Sequence, residues 1–94
     1  VYTALARYGL NIQAAIEQPR WVHGALPDGS VVARFEDRWP QATLDDLAAR
    51  GHTVATVGAY DAGMGFAQGI VLDPTTGVLA GGADPRAESA ACGW

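Results

Sequence analysis

The chain has 94 residues, which suits one small domain or part of a larger one. Ten acidic and six basic residues give a net charge of −4, and every basic residue is arginine, so the chain offers no basic stripe for nucleic acid and no cationic surface for an anionic membrane. No apolar run reaches the roughly 18 residues of a membrane span, and the single cysteine, Cys92, excludes an internal disulfide.

Apolar residues make up 49% of the sequence. This fraction is near the upper end of the usual range for a soluble domain, although a folded chain of this size buries only about 60% of its unfolded surface. The composition therefore predicts a piece of a larger hydrophobic core.

Two short helices are predicted at the start of the chain. Apolar residues recur at helical spacing from Val1 to Ile16. We expect Gly9 to end the first helix in a left-handed conformation and Asn11 to cap the second. Pro19 ends the second helix, because proline disfavours helical backbone at the residue before it.

A hairpin, a helix and a strand are predicted next. Residues 21–26 and 30–36 form the hairpin strands around the turn Pro27-Asp28-Gly29, and Glu36 is expected on a half-wet face. Thr43 and Asp46 have the form of a capping box, which predicts a helix that ends at Arg50-Gly51. Residues 52–57 then form a third strand.

The last predicted element is an apolar hairpin. Residues 66–72 and 78–80 form its strands around the turn 73–77, and Gly81-Gly82 ends the second strand. The tail after this hairpin is expected to be irregular, with Trp94 as an anchor. This order of elements predicts an α+β fold in which helices cover an antiparallel sheet.

The sequence contains no recognisable metal or phosphate motif. His23 and His52 are far apart and lack the spacing of metal ligands. The glycines of segment 63–69 precede a strand, whereas a phosphate cradle needs a helix N-terminus. We therefore interpret them as a tight backbone turn and expect neither a metal nor a cofactor.

Nucleophiles are equally sparse. Ser30 lies beside a hairpin turn, Ser89 lies in the tail, and Cys92 has no histidine beside it in sequence. The pair Asp45-Asp46 is better explained as negative charge at a helix start than as a pair of catalytic carboxylates. The residues alone thus define a soluble α+β piece without a recognisable site.

Five sequence blocks nevertheless occur together in a characteristic order: Tyr8–Trp21, Arg50–Val54, Gly65–Ile70, Gly77–Arg86 and Ala91–Trp94. Their signatures are YGLN with PRW, RGH, GFAQGI, DPR, and the closing ACGW. Each block is weakly specific, but all five in order resemble the C-terminal part of the small subunit of γ-glutamyltransferases (γ-glutamyltranspeptidases), over essentially the whole chain.

This resemblance implies an N-terminal-nucleophile hydrolase with a four-layer αββα core. Such enzymes mature by autocleavage into a large and a small subunit. The new N-terminal threonine attacks a γ-glutamyl amide such as glutathione, and the γ-glutamyl group then passes to water or an amino acid. The partners implied are γ-glutamyl substrates, the large subunit and the upstream part of the small subunit.

The resemblance assigns no catalytic residue to this chain. Thr3 is not N-terminal and does not match the family's nucleophile motif, so the nucleophilic threonine is expected upstream of Val1. We interpret residues 1–94 as a single segment that is inactive by itself. Asp84-Pro85-Arg86 is a family marker in which Arg86 is expected to form a structural ion pair.

Two alternatives stay open at this stage. The chain could be a stand-alone α+β module for binding or assembly, whose open sheet edge serves a partner. It could also belong to a related acylase of the cephalosporin or poly-γ-glutamate type. We expect the isolated chain to be marginally stable or self-associating. The sequence does not distinguish a periplasmic, a secreted and a cytoplasmic location.

Overall fold

The computed structural model describes residues 1–93, so the predicted anchor Trp94 lies outside the described part of the chain. Its elements are α1 Tyr2–Ala6, α2 Ile12–Glu17, β1 Trp21–Ala25, β2 Val31–Glu36, α3 Gln41–Ala49, β3 Val54–Val57, β4 Gln68–Leu72 and β5 Leu79–Ala83. They form two compact units. The first contains Val1–Gln18 and the residues from Gly65 onwards, and the second contains Pro19–Met64.

The helix signals at the start of the chain are confirmed. Gly9 has a φ of 64°, as a left-handed residue after α1 should. The side chain of Asn11 caps α2 by accepting a hydrogen bond of 2.8 Å from the backbone N–H of Ala14. The helix ends at Glu17, ahead of Pro19.

The second unit contains a three-stranded sheet in the order β1-β2-β3. Strands β1 and β2 form the predicted antiparallel hairpin, and the turn between them contains Gly29 with a φ of 82°. Strand β3 pairs with β2 in parallel, so the expectation of a wholly antiparallel sheet is wrong for this pair. The reason is that α3 connects β2 to β3 and returns the chain to the end where β2 began.

Helix α3 begins earlier than the capping box predicted. Its N-cap is Pro40, whose carbonyl accepts hydrogen bonds from the N–H groups of Thr43 and Leu44, so Thr43 lies within the first turn. Asp45 and Asp46 consequently lie inside the helix and not at its start, which corrects that prediction. The expected stop is confirmed by a φ of 93° at Gly51.

The core of the second unit forms between α3 and its sheet. Ala33, Phe35 and Leu44 are buried together, and Trp39 meets the ring of Phe35 edge-on at 5.7 Å. Trp21 stacks on the same phenylalanine at 5.8 Å. Aromatic contacts therefore hold the hairpin and the loop before α3 around Phe35, and Leu44 adds the helix to the same core.

The first unit packs α2 against the antiparallel pair β4–β5. Gly69 and Gly82 lie directly opposite each other in this pair. A Cβ atom on Gly69 would lie 2.8 Å from the side chain of Ile12, and one on Gly82 would lie 3.0 Å from Ile16. Strand β5 runs through Gly81 and Gly82 to Ala83, so the expectation that these two glycines end the strand is wrong. At Gly69 and Gly82, only a residue without a side chain lets the helix approach so closely.

The turn between β4 and β5 is fixed by Asp73. Its carboxylate accepts hydrogen bonds of 2.8 Å from the N–H of Thr75 and 2.6 Å from the hydroxyl of Thr76. The hydrogen bond from the Thr76 hydroxyl lowers the pKa of Asp73 below its usual value. Gly77 completes the turn with a φ of 74°.

Across residues 1–93, none of the helices has the length and apolar character needed to cross a bilayer.

We predict that Gly82→Ala destabilises the protein. The new methyl group would press on Ile12 and Ile16, and overpacking of this kind costs about 1–3 kcal/mol. Chemical unfolding followed by circular dichroism measures the change. The matched control is Gly24→Ala in β1, where an added Cβ meets nothing within 4 Å. Equal stability of the two variants would contradict the proposed close approach.

Candidate functional site

The two histidines and Ser30, which were considered as candidates in the sequence, lie in local surface environments. His23 and His52 are both exposed, and residues 1–93 contain no cluster of three or more His, Cys, Asp or Glu side chains that could hold a metal ion. Ser30 donates a 2.6 Å hydrogen bond to the carboxylate of Asp28. This bond and the one from the Ser30 N–H lower the pKa of that exposed carboxyl.

The remaining candidates have structural environments. The hydroxyl of Ser89 donates to the backbone carbonyl of Asp84 at 2.7 Å, and Cys92 is an exposed free thiol. The glycine-rich segment forms one 3-10 turn at Ala62–Met64, and Gly65, with a φ of 75°, leads towards β4. Because a strand follows, the interpretation as a tight backbone turn is confirmed.

A buried ion pair is the main polar feature of the first unit. Asp84 and Arg86 are 1% and 6% exposed, and the guanidinium Nη1 of Arg86 lies 3.1 Å from Oδ1 of Asp84. Arg86 also donates to the backbone carbonyls of Ile16 at 3.2 Å and Gln18 at 3.0 Å. The structural ion pair expected for Arg86 is thus confirmed.

These bonds connect three segments that are distant in sequence. The carbonyls of Ile16 and Gln18 lie at the C-terminal end of α2, where a helix leaves carbonyl groups without partners inside the helix. Arg86 satisfies them and brings a positive charge to the negative end of the helix dipole. Asp84 in turn accepts a 2.7 Å hydrogen bond from the N–H of Ala67, just before β4.

Gln13 adds a second link between α2 and the sheet. Its side-chain amide donates to the carbonyl of Ala83 at 2.9 Å and accepts from the N–H of the same residue at 3.0 Å. The amide thus pairs with the last residue of β5 as a neighbouring strand would. This protects the edge of the sheet where β5 ends.

The second unit contains a different buried charge. Glu36 has no exposed surface, so the half-wet face predicted for it is wrong. Its carboxylate accepts a 3.0 Å hydrogen bond from the N–H of Arg20 and a 2.7 Å bond from the guanidinium of Arg38. A buried carboxylate is tolerated here because a charge and a backbone donor compensate it.

Arg38 also contacts an unusual residue. Its guanidinium carbon lies 3.8 Å from the ring centre of Tyr60, and Tyr60 has a φ of 55°. Left-handed backbone costs a non-glycine residue about 1–2 kcal/mol. A cation–π contact returns about 0.5–1 kcal/mol at an exposed site. The contact is therefore worth less than the ordinary cost of the left-handed backbone.

The sheet face opposite α2 is largely open and apolar, although Ala91 of the tail lies over Gly81 on this face. Residues on alternate positions share a face, so Ile70, Leu72 and Leu79 lie on the side away from Gly69 and Gly82. These three side chains are 72%, 58% and 65% exposed. Together with residues 90–93 this face borders an open groove of 710 Å³.

The features described so far are structural contacts and one exposed apolar face of the β4–β5 sheet. A protein-family model described as Gamma-glutamyltranspeptidase matches residues 1–94. The chain belongs to this family, as the five sequence blocks predicted.

Particular relatives agree with this assignment. The chain is 42% identical over 94 residues to the glutathione hydrolase-like YwrD proenzyme of Bacillus subtilis (strain 168), a match that covers 99% of this chain and 18% of the relative. It is 40% identical over 79 residues to the glutathione hydrolase proenzyme of Escherichia coli (strain K12), covering 84% of this chain and 12% of the relative.

The fold also matches a solved structure. The cephalosporin acylase from Bacillus halodurans superposes with a TM-score of 0.82 at 35% identity, over 99% of this chain and 16% of the acylase chain. The expected fold class, an α+β part of an N-terminal-nucleophile hydrolase, is confirmed. The chain spans less than a fifth of the length of each of these three relatives.

We predict that Arg86→Met strongly destabilises the first unit. The substitution leaves Asp84 buried without its counter-charge, and breaking a buried pair in this way costs about 3–5 kcal/mol. Chemical unfolding, monitored by circular dichroism, gives the change in free energy.

The matched control is Arg50→Met, which removes an ion pair to Asp46 whose side chains are 69% and 59% exposed. Such an exposed pair between residues four apart on a helix is worth about 0.3–0.5 kcal/mol. A loss of stability at Arg86 no larger than this control would refute the structural role of the buried pair.

Proposed function

We propose that this chain is the C-terminal part of the small subunit of a γ-glutamyltransferase-like enzyme. The enzyme cleaves γ-glutamyl amides of the glutathione type and transfers the γ-glutamyl group to water or to amino acids. The family match across residues 1–94 carries this proposal. The identity to two glutathione hydrolase-type proenzymes supports it.

In this proposal the chemistry is nucleophilic acyl transfer by a threonine that lies outside the chain. The threonine hydroxyl attacks the γ-carbonyl, the amine leaves, and the γ-glutamyl-enzyme then reacts with water or an acceptor amine. The contribution of residues 1–94 is structural. The Asp84–Arg86 pair fixes α2 against β4 and β5, and the aromatic contacts around Phe35 fix the second unit.

The proposed partners are the rest of the small subunit and the large subunit of the same precursor. The two curated relatives are proenzymes, which supports a shared precursor. The open face with Ile70, Leu72 and Leu79 is the surface best suited to pack on the remaining protein, because a sheet with one bare apolar face is not stable in water.

A second candidate is an acylase with another acyl substrate. The structural match to a cephalosporin acylase favours it, because that protein shares the fold of this chain at 35% identity. A stand-alone binding module is a third candidate, from a different class of function. It would account for the open face without any catalytic partner.

We predict that the full-length protein containing this chain turns over γ-glutamyl-p-nitroanilide, and that the 94-residue chain alone does not. Release of p-nitroaniline measures the activity, with and without an acceptor dipeptide. A cephalosporin acyl amide serves as the comparison substrate. Preference for that substrate would select the acylase, and turnover by the isolated chain would refute its structural role.

We also predict that the isolated chain self-associates through the open face. Sedimentation velocity should show a concentration-dependent increase in mass. Leu79→Ser should reduce it, because the substitution removes apolar surface from a side chain that is 65% exposed. The control is Tyr8→Ser, an exposed aromatic on the loop after α1, which should leave the association unchanged. A dilute, stable monomer would argue against the proposed interface.

A further inference from the structure

The β4–β5 sheet of the first unit has two outer edges, and the register of the pair shows which backbone groups point out of each. Asp73 donates its N–H to the carbonyl of Val78 at 2.9 Å, directly beside this pair. Antiparallel partners alternate between pairs that exchange backbone hydrogen bonds and pairs that do not. Counted from Asp73, the residues Gln68, Ile70 and Leu72 therefore direct their N–H and C=O groups away from β5.

The outer edge of β5 is closed where this strand ends. In the same pattern Ala83 directs its backbone groups away from β4, and both are bonded to the side-chain amide of Gln13, at 2.9 and 3.0 Å. The amide takes the place of a neighbouring strand at this residue. Within residues 1–93 the sheet contains only β4 and β5, so no strand lies beside the outer edge of β4.

The outer edge of β4 also lacks the features that keep exposed edges from pairing. Natural edge strands are protected by charged residues, by proline or by a bulge. Strand β4 reads Gln-Gly-Ile-Val-Leu, and its register with β5 is continuous from Gln68 to Leu72, so it has none of the three. A two-stranded sheet is marginally stable in water by itself. These features favour pairing of β4 with a further strand.

We propose that the outer edge of β4 pairs with a strand of the same precursor that lies outside residues 1–94. This inference rests on the proposed function, in which the chain is one part of a larger enzyme. The chain covers less than a fifth of each of the three relatives described above, so most of each relative lies outside the matched segment and can supply the strand.

The chemistry of β4 defines the kind of strand that fits. Side chains on the same face of neighbouring strands contact one another, and apolar pairs stabilise a sheet. Ile70 and Leu72 are 72% and 58% exposed on the face opposite α2. The partner strand is therefore an extended segment with apolar side chains on that face, and its backbone bonds to the outward groups of β4.

Amide hydrogen exchange in the full-length protein tests the pairing, read at single residues by fragmentation mass spectrometry. The N–H groups of Ile70 and Leu72 point outward, so they are protected when a further strand accepts them. We expect them to exchange about tenfold more slowly than in an unstructured peptide, the factor that one net hydrogen bond can supply. The N–H of Val71 points towards β5 and is the internal control. Rapid exchange at Ile70 and Leu72 beside a protected Val71 would overturn the proposal.

Proline substitutions test the same hydrogen bond by removing it. Proline lacks the N–H and is tolerated within a strand where that group faces solvent. In the full-length protein, Ile70→Pro and Val71→Pro should lower the thermal midpoint to a similar extent, because each removes one bond between paired strands. A much smaller decrease for Ile70→Pro than for Val71→Pro would mean that the outer edge of β4 is bare, and would refute the pairing.

Two further outcomes separate this proposal from its alternatives. Protection of Ile70 and Leu72 that increases with protein concentration would identify a second copy of the chain as the partner and would overturn the proposal. Turnover of γ-glutamyl-p-nitroanilide is measured on the same preparation. Because exchange does not depend on catalysis, an inactive protein with both residues protected contradicts the proposed function and supports the pairing, whereas an active protein with rapid exchange at both does the reverse.

Discussion

Arg86 places a full positive charge beside the carboxylate of Asp84 in the interior of the first unit, where neither group reaches water. Such a pair is stable only when its remaining donors and acceptors are also satisfied. Here they bond to the end of α2 and to the backbone before β4. The pair therefore joins the helix, the sheet and the tail, and the Gln13 amide adds a second link between the helix and the sheet.

The features that sequence predicted well are those decided within a few residues. Gly9 and Gly51 adopt positive φ, and Asn11 caps α2, because each outcome depends on the backbone and one neighbouring turn. The family assignment followed from five short blocks in order. Two of these blocks have a visible structural reason, since Arg86 and the Gly69–Gly82 pair both position α2.

The features that sequence missed depend on distant neighbours. The parallel pairing of β2 and β3 arises from the crossover through α3, and strand alternation alone cannot distinguish it from a hairpin. Glu36 reads as a surface residue until Arg20 and Arg38 are placed beside it. Gly82 was predicted to end a strand, because the sequence does not show that the side chain of Ile16 packs against it. No pattern in the sequence predicted a catalytic group.

The two units differ in how their parts are distributed along the chain. The second is continuous from Pro19 to Met64, whereas the first joins the N-terminal helices to residues from Gly65 onwards. The bond from Arg86 to Ile16 spans 70 positions. Synthesis proceeds from the N-terminus, so the second unit can fold before β4, β5 and Arg86, which contact α2, have been synthesised. The first unit is completed only when Arg86 has left the ribosome, so its folding is the last step along this stretch of chain.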